Sequence, residues 1–150
     1  MNQNQVNGIT SQGQRNIEID MRGVCGELAV CKKYNAYPDF VIGPHYSGFD
    51  LVVNGTKIDV KTTKYAQPYL QSKVKKKAID CDVFVLVHDQ QPNYTLIGWM
   101  LSDRLLQDEN IRDTGFGDHY TMTAEELWPM RTFQNYLTDP NYSKFDVIVN

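Results

Sequence analysis

Asp50-Leu51-Val52-Val53-Asn54-Gly55-Thr56-Lys57-Ile58-Asp59-Val60-Lys61-Thr62 reads as two β-branched runs on either side of Asn-Gly, the strongest short-range signal for a two-residue hairpin turn. With Asn54 and Gly55 as the loop, Val53 faces Thr56, Val52 faces Lys57, Leu51 faces Ile58 and Asp50 faces Asp59. Alternation along each strand then places Leu51, Val53, Ile58 and Val60 on one face, and Asp50, Asp59 and Lys61 on the other. The apolar face is expected to cover the core, which leaves two acids and a lysine together on the opposite side. Directly opposed residues have Cβ atoms about 4.5–5.5 Å apart, where like charges destabilise the pair. Stability gives no reason to build two facing aspartates, and removing one is expected to leave the fold intact or firmer. The hairpin is therefore a candidate site as well as a fold signal.

Upstream, residues 1–13 form a Gln/Asn/Gly/Ser segment expected to be a mobile arm, with one domain over residues 14–150. No proline interrupts Gln14 to Tyr34, and Ile17, Met21, Val24, Leu28, Cys31 and Tyr34 recur at the three-and-four spacing of an amphipathic helix. Val24, Glu27, Cys31 and Tyr34 share one stripe of it, in which Glu27 is the only charge. A carboxylate in an apolar stripe is costly unless something pairs with it. A helix laid over the acidic side of the hairpin would bring Glu27 to Asp50 and Asp59. Asp39 to Ile42 is a short strand candidate before the Gly43-Pro44 turn.

Downstream, Ser72 to Ile79 predicts a lysine-rich helix, and Asp82 to His88 a strand buried on both faces. Tyr94 to Leu101 reads as a further strand, and Phe145 to Val149 as a final edge strand. Thr123-Ala124-Glu125-Glu126 has the form of a capping box opening a short helix that Pro129 breaks. This order predicts an α/β domain with a mixed central β-sheet flanked by helices.

Composition bounds the function classes. Of 150 residues, 41% are hydrophobic and 22% charged, the make-up of a globular domain. The longest apolar runs, Val83 to Val87 and Leu96 to Leu101, fall far short of the ~18 residues of a membrane span. The N-terminus lacks the regions of a secretory signal, so a cytoplasmic location and no membrane partner are expected. Cys25, Cys31 and Cys81, an odd number without Cys-x-x-Cys, argue against disulfides or structural zinc and read as small buried hydrophobes. His45, His88 and His119 lack metal-ligand spacing, although His45 lies in the loop before Asp50. Gly115-Phe116-Gly117 lacks the flanking strand and helix of a phosphate-binding loop and reads as a turn. Trp99 and Trp128, among apolar neighbours, read as core. The net charge of -3 conceals a basic middle: Lys57 to Lys77 holds seven lysines against one acid, whereas Asp80 to Asp146 holds twelve acids against four bases. Such asymmetry predicts one face that meets a polyanion.

Gly23-x-x-Gly26-Glu27, Phe49-Asp50-Leu51-Val52-Val53 and Ile58-Asp59-Val60-Lys61 together resemble the core of the PD-(D/E)XK nuclease superfamily over roughly Met21 to Val87. Phe49 stands where many members carry proline, and the Gln-x-x-x-Tyr of the RecB-like branch is missing, since Gln67 is followed by Gln71 and Gln71 by Lys75. The resemblance implies a restriction-endonuclease-like core and a DNA nuclease dependent on Mg²⁺ or Mn²⁺. By it, Asp50, Asp59 and the Val60 carbonyl would hold the metal, Glu27 would bind it directly or through water, and Lys61 would hold the attacking water. Oxygen donors of this kind suit hard divalent cations. Lys64, Lys73, Lys75, Lys76 and Lys77 would then lie along the DNA backbone, with Tyr65 and Tyr69 available to stack on exposed bases. Small size and an acidic pI near 5.5 favour a degradative or end-processing exonuclease, such as bacteriophages encode. A structure-selective endonuclease of junction-resolvase type and a non-catalytic nucleic-acid-binding module are the alternatives.

Overall fold

The structure, a computed structural model, describes residues 11–36 and 48–139, with side chains from Met21 onward. The strand candidates at Asp39 to Ile42 and Phe145 to Val149, the Gly43-Pro44 turn and His45 lie outside the described residues. The hairpin forms in the register read as far as Leu51↔Ile58, but Asp50 does not continue the ladder to face Asp59, because its amide bonds the Ile58 carbonyl and its carboxylate the Val60 N–H. Strand β1 (Leu51–Val53) pairs antiparallel with β2 (Thr56–Thr63) in the register Leu51↔Ile58, Val52↔Lys57, Val53↔Thr56. Asn54 and Gly55 both take positive φ, 50° and 82°, the backbone that lets a two-residue turn follow the strand twist.

Strand β2 also pairs in parallel with β4 (Val83–Gln90), which pairs antiparallel with β5 (Asn93–Leu101). The resulting four-stranded sheet, ordered β1-β2-β4-β5, is mixed, and the protein is α/β as its pattern implies. Residues Val83 to Val87 are all buried, which explains their unbroken apolar run. Helix α1 (Ser11–Tyr34) begins three residues before the expected start. It packs on the face that bears Ile58, Val60 and Thr62, so that Val30 and Cys31 join the core and Tyr34 meets Phe133 edge to face at 5.2 Å.

The buried stripe of α1 differs from the one its periodicity predicts. Met21, Val24 and Leu28 are exposed, at 62%, 41% and 43%, whereas Gly26, Val30 and Cys31 face inward. Gly26 decides this orientation, because a Cβ there would stand 1.8 Å from Thr62 Oγ1. Only a residue without a side chain lets the helix come so close to β2. The closest approach therefore runs through the glycine, and the apolar row beside it turns outward.

The lysine-rich helix expected at Ser72 to Ile79 does not form. Instead Tyr69–Lys73 is strand β3, with Leu70 and Ser72 buried, followed by a turn and a single 3-10 turn at Ala78–Asp80. Inward Leu70 and Ser72 between half-exposed Tyr69 and Gln71 have the period of a strand, and β3 finds a partner late in the chain. It pairs antiparallel with β7 (Asp118–Thr123), which pairs with β6 (Ile111–Asp113), giving a second, three-stranded sheet absent from the sequence reading. Between them Gly115 and Gly117 turn the chain, their amides donating to Asp113 Oδ1. Strand β3 lies against β2 and β4, so the acidic side of the hairpin is covered as well. Helices α2 (Ser102–Leu105) and α3 (Phe133–Thr138) are short. The capping box at Thr123 is present but caps only one 3-10 turn, Ala124–Glu126. Trp99 and Trp128 are buried at 5.1 Å ring separation, Cys31 and Cys81 are buried, and Cys25 is half-buried. Among the described residues no helix is long and apolar enough to cross a membrane.

Candidate active site

Strand β1 begins at Leu51, and beyond the Leu51↔Ile58 pair no other strand among the described residues pairs with that edge of β2. The Asp50 carboxylate takes over as partner there, accepting the Val60 N–H at Oδ2 over 2.7 Å, while the Asp50 amide donates to the Ile58 carbonyl over 2.8 Å. Asp50 is thus held in place by backbone. Helix α1 does not cover the acidic side as expected. It delivers Glu27 from the apolar side to this same edge, where Glu27 hydrogen-bonds Asp50. The position follows from Gly26, whose close approach to Thr62 sets the height of the helix over the strand.

Asp59 approaches from the other face and is only 5% exposed. Lys76 Nζ donates to its Oδ2 over 2.8 Å and also to the Gly48 carbonyl. Lys61 Nζ stands 3.2 Å from Oδ1 as an ion pair, but Oδ1 accepts no hydrogen bond and is buried. Gly48, Asp50, Asp59, Val60, Lys61 and Lys76 line one cavity of about 230 Å³. Lys61 also borders a smaller cleft of about 170 Å³ between the two sheets, with Tyr65, Tyr69 and Gln71 on its walls. Tyr65 and Tyr69 stack there at 5.6 Å.

The electrostatics follow from crowding. Burial, then the negative charge of Asp50, raises the Glu27 carboxyl from 4.5 to about 7, and the proton it keeps is the one it donates to Asp50. Burial and the charge of Asp59 raise Asp50 as well, against the opposing pull of the Val60 N–H. Burial works against the charge on Lys76, but its bond to Asp59 more than offsets this and leaves the ammonium firmly protonated.

Glu27, Asp50, Asp59, Val60 and Lys61 are therefore brought together. The lysines are not. Lys64 lies at the far end of β2 beside a cavity lined by Arg22, Cys25, Asp89 and Tyr94, where Arg22 Nε pairs with Asp89 Oδ2 at 3.1 Å. Lys73, Lys75 and Lys77 are exposed at the end of β3 and in the turn, without the common helix face expected of them. Lys76 leaves this group altogether and enters the site. Nothing in the run of lysines distinguishes it from its neighbours, because its partner is set by how the turn packs on β2.

No family model, curated protein or solved structure matches the chain. The chemistry must be read from the cluster itself. As the side chains stand, no three of His, Cys, Asp and Glu among the described residues are disposed to hold a metal ion: Glu27 and Asp50 bond each other, and Lys76 takes one oxygen of Asp59. The donor set still fits a hard divalent cation. Asp59 Oδ1 is buried and accepts no hydrogen bond, meeting only the ion-paired Lys61 ammonium at 3.2 Å, and it stands beside two further acids that burial and mutual repulsion keep from charging freely, a crowding that a divalent cation would relieve.

Proposed function

We propose that the protein is a Mg²⁺-dependent DNA nuclease with a PD-(D/E)XK-type site on a restriction-endonuclease-like core, and that Asp59 and Lys61 carry its chemistry. The observation that supports this most directly is the convergence of Glu27, Asp50, Asp59 and Lys61 on one edge of β2, with Asp59 Oδ1 buried and lacking a hydrogen bond. A solvated hairpin accounts for charges on a surface but not for a buried aspartate opposite a proton-sharing pair.

Asp50, Asp59 and the Val60 carbonyl would hold the metal, with Glu27 binding directly or through water. A bound Mg²⁺ or Mn²⁺ would supply a nucleophilic water at neutral pH and a cation against the non-bridging phosphate oxygen. Lys61, at 39% side-chain exposure, reaches into both the acidic cavity and the cleft between the sheets. Its ammonium is placed to hold the attacking water and to offset charge growing on the phosphate. Glu27, raised to about 7, holds or gives up a proton near neutral pH and so adjusts the charge of the site to an arriving cation. The exposed lysines 64, 73, 75 and 77 would meet the DNA backbone, and Tyr65, 47% exposed at the mouth of the Lys61 cleft, offers a base a stacking surface. The acidic balance outside the basic middle favours a degradative or end-processing exonuclease.

Incubation with labelled linear, circular, single-stranded and branched DNA, with and without Mg²⁺, tests the reading. Metal-dependent cleavage of linear DNA is expected, and Lys61→Ala should lower the single-turnover rate on the order of 10²–10³-fold while DNA affinity stays near that of the wild type. Wild-type turnover in Lys61→Ala would move the chemistry elsewhere. Cleavage confined to branched DNA would favour the structure-selective alternative.

A further inference from the structure

Of Lys73, Lys75, Lys76 and Lys77, only Lys76 is turned inward. Its side chain is 15% exposed, whereas Lys75 and Lys77 on either side are open to solvent. The ammonium lies against oxygen: Asp59 Oδ2 at 2.8 Å and the Gly48 carbonyl. A buried carboxylate oxygen and a backbone carbonyl are also the donors a hard divalent ion takes, so a cation already occupies part of the cavity that the acids surround. The ammonium also stands over the Phe84 ring, Nζ 5.9 Å from its centre. The turn carrying Lys76 is fixed by its own amide, which donates to the Lys73 carbonyl over 3.0 Å. Gly48, at φ +76°, packs so closely on Asp80 that a Cβ would stand 2.8 Å from Asp80 Cβ. The segment leading into Asp50 and the turn carrying Lys76 are therefore built against each other, and the ammonium bridges them.

We propose that Lys76 is the resident counter-ion of Asp59, which an incoming divalent metal must displace, so that this lysine sets the metal affinity of the site. The inference rests on the nuclease reading and extends it. Without metal, Lys76 at Oδ2, with the half-exposed Lys61 at Oδ1, neutralises a carboxylate buried beside two more acids. With metal at Asp59, two cations would compete for the same oxygens, and the flexible lysine stem lets the ammonium withdraw towards solvent. Lys76 is thus a positioning residue acting through Asp59.

The test uses the full chain without DNA and Mn²⁺ as the probe, read by calorimetry or by its paramagnetic resonance signal. Lys76→Gln, and Lys76→Met, which keeps an unbranched side chain of similar length without the charge, should each bind Mn²⁺ roughly tenfold or more tighter than the wild type. In EDTA both should melt below it, and Mn²⁺ should raise their melting temperature by more. Lys76→Arg, which keeps the charge, should bind Mn²⁺ within a few-fold of the wild type. A lysine that serves only the fold predicts neutral variants that bind Mn²⁺ no tighter, and that result overturns the inference while leaving the metal site standing. If no form of the protein binds Mn²⁺, both this inference and the nuclease reading fail.

Discussion

Asp59 and Glu27 pose opposite problems for the fold. Asp59 is buried but neutralised from two sides, by Lys76 at 2.8 Å and Lys61 at 3.2 Å. Its removal therefore strands an inward-facing ammonium instead of relieving a repulsion, which reverses the sign expected from the facing carboxylates alone. Asp59→Ala should cost about 1–3 kcal/mol in metal-free urea unfolding and abolish Mg²⁺-dependent cleavage. An unchanged midpoint with full activity would remove Asp59 from the site. Glu27 is stabilised by being protonated. Its carboxyl sits at about 7 in the fold against 4.5 when free, so the native state binds the extra proton between those values. The stability it contributes is complete below about pH 4.5 and is lost as pH rises through about 7. Metal-free wild type should accordingly lose stability across that window, and Glu27→Gln should flatten the loss. A slope identical in the two proteins would show that the proton lies elsewhere.

Each element is placed by one or two neighbours that its own pattern does not advertise. Helix α1 has a full apolar row, yet Gly26 and not that row meets β2, because the missing side chain permits the closest approach. Gly26→Ala would drive Cβ into Thr62 Oγ1, with a cost of about 1–3 kcal/mol as the helix is pushed off the strand. Glu27 would move with it. Cleavage should fall more than DNA binding, and adding Thr62→Ala should recover part of the melting temperature. A fully stable, fully active Gly26→Ala variant would mean that the helix sits differently on the sheet. Strand β3 shows the same dependence: its lysine-rich continuation suggested a helix, but Leu70 and Ser72 are drawn inward once β7 is available, fifty residues beyond.

At the scale of the whole molecule, two sheets and one long helix enclose β2, and Lys64, Lys73, Lys75 and Lys77 are the exposed lysines that follow β2 in the basic middle. Changing these four to Gln should weaken binding to all DNA sequences alike and flatten the dependence of log K on log salt by up to ~0.9 for each duplex phosphate no longer neutralised. Turnover at saturating DNA should persist, because none of the four lines the acidic cavity. An unchanged salt slope would route the DNA over another face. The hairpin and its register from the turn to Leu51↔Ile58 were determined by the sequence alone, since Asn54-Gly55 and alternating side chains act between neighbours in the chain, whereas Asp50 leaves the ladder to take the Val60 N–H. The sequence alone likewise determined the buried strand read at Asp82 to His88, whose apolar run Val83 to Val87 admits no exposed face and which the structure extends to Gln90. Tertiary structure decided the second sheet, the face α1 presents and the entry of Lys76 into the site. Each depends on segments far apart in sequence competing for the same surface of β2, and that competition is settled by close packing and charge pairing that leave no local periodicity to read.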